Sequence, residues 1–399
     1  MKKLADGPVA LDRTTTVPTR RWLALVAVAV GTFAMVTVEQ LPMGLLTSIG
    51  GSLDVSAGTA GLMVTVPGLV ASAAAPLLPV AIGRLDRRTA LIGLLALMVV
   101  ANAASALAPN FAVMLGSRFL VGVAIGGFWA LAAGIAVRMV PAAHVPRAVA
   151  VVFGGATAAN VLGVPAGTLI GEFTDWRVAF GVLGGLAVLV AVALATLAPS
   201  LPAAGPVRLR ALPAQFGIRG VRAGVLTTFL LVGGHYGTFT FVSPVLRTVS
   251  GVDQRYVGPL LLAFGVAGIA GNVLAGRLIG LDLRRTVVGI AVLLAGALAL
   301  FPVVGTTPAG GVVLLVLWGL AFGGVPVSVQ TWILRAAPDS AEAATALNTS
   351  VFNLAIAVGA AAGGLVVDAV SVTGLLWCGA GVSAVAAVAV WRGRGTATR

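Results

Sequence analysis

The chain has 399 residues, of which 59% are hydrophobic and 9% charged, where an ordinary soluble domain has about 25% charged. That balance excludes a soluble globular enzyme, and 53 glycines with few aromatics suit helices packed closely in lipid. The net charge of +13 does not imply nucleic acid, because the basic residues gather in alternate loops as membrane orientation requires.

In chain order, twelve apolar runs are long enough to span a bilayer as helices. They lie near 22–46 (α1), 60–82 (α2), 90–107 (α3), 112–137 (α4), 148–170 (α5), 178–197 (α6), 223–246 (α7), 257–279 (α8), 287–304 (α9), 310–334 (α10), 343–367 (α11) and 373–390 (α12). The expected fold is an all-α membrane protein with two six-helix halves around a central cavity. Residues 1–21 read as a polar, basic tail, 22–197 as one bundle, 198–222 as a Pro- and Arg-rich linker, 223–390 as the second bundle, and 391–399 as a tail. The run from Trp22 is long enough to span rather than to be cleaved, so no removable signal is expected. With the tails placed in the cytoplasm, 21 of the 25 Lys and Arg fall on the cytoplasmic side and three, Arg177, Arg247 and Arg255, outside. This bias puts both ends in the cytoplasm.

The halves echo each other. Leu85-Asp86-Arg87-Arg88-Thr89 between α2 and α3 matches Leu281-Asp282-Leu283-Arg284-Arg285-Thr286 between α8 and α9, 196–197 residues later. A duplicated six-helix unit explains the match, and parallel repeats of this kind build transporters.

The residue inventory narrows the energy source. Lys2 and Lys3 are the only lysines, so no Gly-x-x-x-x-Gly-Lys phosphate loop exists. Two histidines, His144 and His235, and the single Cys378 supply neither a metal centre nor a disulfide framework. No cofactor is expected, and uphill movement of a solute would draw on an ion gradient.

Glu39 is the one acidic residue deep in an apolar run. A carboxylate at that depth is costly unless paired, hydrated or protonated. It either handles a proton, ion or substrate, or bonds only to neighbouring helix groups. Arg118 in α4 lies at a matching depth, roughly 10 Å below the outer surface at 1.5 Å per residue. It either interacts with Glu39 or satisfies backbone carbonyls. In α5, Gly163, Gly167 and Gly171 stand four apart, a stripe against which a neighbouring backbone can lie, and Pro165 bends the helix. His235, in mid-α7, suits proton handling or a single helix–helix hydrogen bond. Gln330, Thr331, Asn348 and Asn353 are candidates for the cavity wall or for interhelical bonds. Phe33, Phe128, Trp129, Tyr236 and Phe239 are candidates for stacking on a flat or amphipathic solute.

These residues carry a family resemblance over nearly all of 20–390. The chain resembles twelve-helix major facilitator superfamily exporters of the drug:proton antiporter-1 type. Arg118 and the glycines after it resemble the helix-4 motif linked to proton transfer. Gly163-Val164-Pro165-Ala166-Gly167 resembles the helix-5 antiporter motif, and Trp176-Arg177-Val178-Ala179-Phe180 the start of helix 6. Gly126-Gly127-Phe128-Trp129-Ala130, Val137-Arg138-Met139-Val140-Pro141 and Glu39-Gln40-Leu41-Pro42-Met43-Gly44-Leu45-Leu46 are most similar to bacterial sugar-efflux and purine-nucleoside-efflux permeases. The resemblance implies a monomeric exporter that exchanges protons for a nucleoside, sugar or drug-like solute. It implies Glu39, Arg118 and His235 as coupling groups. It also implies Asp86, beside Arg87, as a latch against Arg138, although Gly83-Arg84-Leu85-Asp86-Arg87-Arg88 is shorter than the family's Asp-Arg-x-Gly-Arg-Arg pattern. An importer or facilitative uniporter with the same helices is the alternative, export being favoured by the helix-5 resemblance. Other classes fare worse, since a channel needs a continuous polar path and a membrane enzyme a catalytic cluster. The substrate itself is not written in the residues.

Overall fold

A computed structural model describes residues 17–141, 144–202 and 211–392. Most of the expected tails, and 203–210 of the expected linker, lie outside the described residues. Among those residues are eleven helices long and apolar enough to cross a membrane, or twelve when Arg219–Phe239 and Val242–Val249, bent by 55°, count as one span.

The observed spans are α1 Thr19–Ser52, α2 Ala57–Ile82, α3 Arg87–Ala106, α4 Phe111–Met139, α5 Arg147–Gly171 and α6 Trp176–Leu197 in the first half. The second half has α7 Arg219–Phe239 with Val242–Val249, α8 Val257–Ile279, α9 Leu283–Val304, α10 Pro308–Ala336, α11 Ala341–Ala369 and α12 Val372–Arg392. All twelve expected spans are present. α1 is longer than expected at 34 residues, about 50 Å at 1.5 Å per residue, so it projects beyond a ~30 Å hydrocarbon layer. α7 begins at Arg219, which shortens the linker.

Each half has its own apolar core. One contains Leu25, Met35, Leu95, Met98, Phe128 and Phe180; the other contains Leu231, Phe239, Leu294, Phe301 and Trp318. The duplication is written in the contacts as well as in the sequence. Asp86 caps α3 through the backbone N–H groups of Arg88 and Thr89, and Asp282 caps α9 through that of Arg285. Arg88 donates to the Ala195 carbonyl at the end of α6, and Arg284 to the Val390 carbonyl at the end of α12. Cations at these C-terminal carbonyls complement the helix dipoles.

The glycine stripe on α5 packs against α1 in a fixed register. Cβ atoms at Gly155, Gly163, Gly167 and Gly171 would meet Ala29, Thr37, Leu41 and Leu45, each partner 126 residues earlier. In the second half, Gly359 and Gly363 of α11 lie against Gly233 and Gly237 of α7 at the same spacing. Small residues let these backbones touch, which is the main packing gain available between helices in lipid.

The two bundles meet at one end and part at the other. Thr47 and Ser243, 196 residues apart, hydrogen-bond at 3.3 Å across the junction. Asp368 at the end of α11 accepts from the Ser56 hydroxyl at 2.6 Å and from the Gly58 N–H at 2.9 Å at the start of α2. Among the described residues, these are the hydrogen bonds between the bundles, and all lie away from the basic loops. One face of α8 shows the parting. Gly258 packs on Leu169 and Gly265 on Asn160 and Val161, whereas Asn272, seven residues further toward the basic end, is exposed.

Candidate transport site

Glu39 lies in the second half of α1 and is half-buried. The ion pairs among the described residues are Arg177–Asp175, Arg255–Asp253 and Arg285–Asp282, all near helix ends. Glu39 therefore has no cation partner there, and no hydrogen bond. Its electrostatic neighbour across the bundle junction is Tyr236 of α7.

Arg118 matches Glu39 in depth but does not pair with it. It is fully buried inside the first bundle. Its Nη1 donates to the Val38 carbonyl at 3.0 Å and its Nη2 to the Ser105 hydroxyl at 2.9 Å, with the guanidinium 4.8 Å from the Phe180 ring centroid. Nε is buried without a partner. Arg118 thus ties α4 to α3 and to the backbone of α1 one residue before Glu39. Backbone satisfaction, the second of the two sequence readings, is what the geometry shows.

His235 stands 196 residues after Glu39, at the equivalent place in the second repeat. It is 1% exposed. Its Nδ1 accepts a 2.9 Å hydrogen bond from Trp318 Nε1, so that nitrogen carries no proton and the ring is the neutral Nε2–H tautomer. Phe322, Phe239 and Phe264 stack on it, and Tyr236 and Trp318 meet it edge-on. This is the single helix–helix hydrogen bond foreseen as one of two alternatives.

The candidate substrate residues divide. Phe33 and Trp129 are half-buried, and Trp129 sits 5.6 Å from Phe153 on α5. Tyr236 is buried in the second bundle's core, edge-on to His235 and Phe322, within electrostatic reach of Glu39. Phe128 is instead a core residue: it is fully buried against Gly31, with Val190 nearby. The alternation of helix faces places it inside the bundle while its neighbour Trp129 turns outward. Phe239 belongs to the aromatic stack, 4.5 Å from Phe264. Gln330 Nε2 donates to Thr345 Oγ1 at 2.9 Å, linking α10 to α11. Asn353 donates to the Thr349 carbonyl of its own helix. Both amides are thus engaged in helix bonding.

At the basic end Asp86 does not meet Arg138. Asp86 Oδ2 accepts from Ser200 Oγ at 2.5 Å and from the Leu201 N–H at 2.7 Å. The Arg87 N–H donates to the Leu201 carbonyl, and Arg138 donates to the Pro202 carbonyl. Both partners of the expected latch hold the chain leaving α6, because that segment lies between them. Burial alone would raise the Asp86 pKa, but the bonds from Ser200, Leu201, Arg88 and Thr89 outweigh it and hold the carboxyl below the ordinary aspartate value.

Gly163, Pro165 and Gly167 come together on α5 as expected, with a different bend. Pro165 has no N–H to return to Val161. The helix answers with a π-turn over Ala159–Gly163, closed by the Val164 N–H on the Ala159 carbonyl. Such turns frequently mark functional sites. Asn160 lies in this turn, and its Oδ1 accepts from Gln40 Nε2 at 2.7 Å. Asn160 was missed in the sequence; a census of lone polar residues in apolar runs, the logic that found Glu39, would have found it. At the opposite end a cavity of about 860 Å³ opens between the bundles, lined by Thr47, Gly51, Val55, Arg247, Thr248 and Gln254 among others. It is a separate vestibule, about two helical turns from Glu39.

Residues 28–359 match the family described as Major Facilitator Superfamily. The chain belongs to this superfamily. It is 39% identical over 351 residues to the "Transcription regulatory protein OpdE" of Pseudomonas aeruginosa, covering 87% of each chain. It is 33% identical over 347 residues to the "Purine ribonucleoside efflux pump NepI" of Salmonella paratyphi B, again covering 87% of each. In fold it is similar to an inward-facing, unoccupied bacterial homolog of the human lysosomal transporter Spinster, at TM-score 0.74 and 16% identity over 96% of this chain and 98% of that one. The human organic anion transporter MFSD10 gives 0.67 and 18% over 94% and 100%. This superfamily member is a multi-pass membrane transporter of small molecules and not an enzyme.

Proposed function

We propose that the protein is a proton-coupled exporter of purine nucleosides or closely related solutes in the bacterial cytoplasmic membrane. It works by alternating access as a monomer, with both termini in the cytoplasm. The observation that carries the reading is Glu39: a half-buried carboxylate in mid-α1 with no cation partner among the described residues, within electrostatic reach of Tyr236 in the other bundle. The efflux-pump relatives supply the solute class and the direction. With the basic end inside, the parted ends of the bundles admit cargo from the cytoplasm. The bonds from Thr47 to Ser243 and from Ser56 and Gly58 to Asp368 keep the outer side shut.

In this cycle the units 22–197 and 223–390 rock about their junction, joined by 198–222. Arg118 anchors the α1 backbone at Val38 and fixes the height of Glu39. Outward opening exposes Glu39 to the acidic side, where its protonation accompanies release of cargo. A carboxylate already held by a strong cation partner would resist that change; Glu39 has none among the described residues.

Transport into proteoliposomes with an imposed pH gradient tests the reading. Glu39→Gln should lose uphill movement of a purine nucleoside while keeping nucleoside exchange. Undiminished gradient-driven movement by that variant would overturn the coupling role. A regulatory reading rests on the name of the OpdE relative, and the same assay separates it, since a pure regulator moves no solute.

A further inference from the structure

Several embedded amides of the chain are buried and bond within their own bundle. Asn102, 0% exposed, donates to the Met98 carbonyl, and its Oδ1 is closed off from any solute. Asn348, 4% exposed, accepts from Thr228, and Asn353, 9% exposed, donates to Thr349. The Gln40–Asn160 pair differs. Gln40 is itself only 8% exposed, but Asn160 is exposed, in the π-turn of α5 and at the vertex where α5 and α8 separate. Gly265 closes on its carbonyl, while Asn272 on the same face of α8 stands open toward the basic end.

The mutual bond does not exhaust the pair. Gln40 Nε2 donates to Asn160 Oδ1, leaving Asn160 Nδ2 as a donor and Gln40 Oε1 as an acceptor, neither partnered among the described residues. Two bonded amides leave one donor edge and one acceptor edge whichever way both planes are turned. The equivalent residues of the second repeat, 196 later, are Tyr236 and Ile356, which present no such edge.

We propose that Gln40 and Asn160 form the specificity-determining edge of the transport site. It takes a planar solute with an N–H beside a C=O, as in the lactam edge of a 6-oxopurine. The edge borders Glu39 in sequence, so recognition and proton handling share one stretch of α1. The proposal rests on the nucleoside-export reading above and assigns the side chains that read the base.

The test is competitive transport of inosine and purine riboside in proteoliposomes. The two share ring system and ribose, but purine riboside lacks the C6 oxygen and the N1 proton. Wild-type protein should prefer inosine by about tenfold, the discrimination expected from one satisfied polar edge. Gln40→Leu and Asn160→Leu should each raise the KM for inosine about tenfold, leave purine riboside nearly unchanged and keep wild-type thermal stability. Asn160→Gln, which retains an amide, should restore part of the preference. Variants that keep the wild-type preference, or that lose both solutes equally, overturn the edge, as does a wild type that moves both solutes alike. A wild type that moves neither overturns the nucleoside reading and the edge with it.

Discussion

In the first bundle the middle of α1 is polar and unsealed: Glu39 has no cation partner, and beside it Gln40 reaches Asn160. At the same place in the second bundle α7 carries His235, closed within Tyr236, Phe239, Phe264, Trp318 and Phe322. Elsewhere the halves keep one plan, down to the capping aspartates and the arginines on the last turns of α6 and α12. At this depth the duplicated scaffold has diverged. One half carries a carboxylate and a pair of amides there, and the other an aromatic stack around a histidine. Lipid makes such a difference consequential, because a polar group at depth is costly unless it is paired, hydrated or protonated.

The shared plan breaks most severely where backbones touch. A Cβ at Gly155 would lie 2.0 Å from the Ala29 carbonyl oxygen, whereas one at Gly154 meets nothing within 4 Å. Gly155→Val should cost about 3 kcal/mol or more, since overpacking against backbone has no side chain to displace. Gly154→Val should be nearly neutral. Thermal denaturation of the purified protein in detergent, followed by size-exclusion chromatography, reads the difference. Equal stability of the two variants would mean that α5 does not lie on α1 in this register.

Much of this was legible in the residues. The span count, the basic side, the repeat and Glu39 itself follow from hydropathy and charge, because lipid enforces those patterns on every helix. Partners were harder to read. Arg118 and Glu39 match in depth, but depth along a helix says nothing of azimuth, and Arg118 points into its bundle toward Val38 and Ser105. Phe128 and Trp129 are adjacent in sequence, yet one is core and the other half-buried. Asp86 and Arg138 are both drawn to Ser200, Leu201 and Pro202, a segment whose path no helical periodicity encodes.

The aromatic stack gives the next largest effect. Trp318→Phe removes the donor to His235 Nδ1 and leaves a buried acceptor unpaired, which should cost about 1–3 kcal/mol. His235→Phe in the same chain should recover part of that loss, because no orphaned polar atom then remains. A double-mutant cycle on thermal stability measures the coupling. Strict additivity of the two substitutions would show that the bond contributes nothing, and that stacking alone holds the ring.

The smallest effect separates the two capping aspartates. Asp86 and Asp282 do the same work at the starts of α3 and α9, but only Asp86 also holds the chain after α6, through Ser200 and Leu201. Those bonds favour the charged carboxylate and keep its pKa below the ordinary aspartate value in the folded protein. The sign follows: stability from this group is present above the unfolded aspartate pKa near 3.9, and it is lost as pH falls through the lower folded value. Asp86 is partly exposed, so solvent screening limits the contribution to about 1 kcal/mol or less. Asp86→Asn should lower the melting temperature slightly at pH 6, more than Asp282→Asn does, and the gap should close as pH falls well below the ordinary aspartate value. A gap that persists unchanged at low pH would mean that the contacts with Ser200 and Leu201 do not depend on the charge of Asp86.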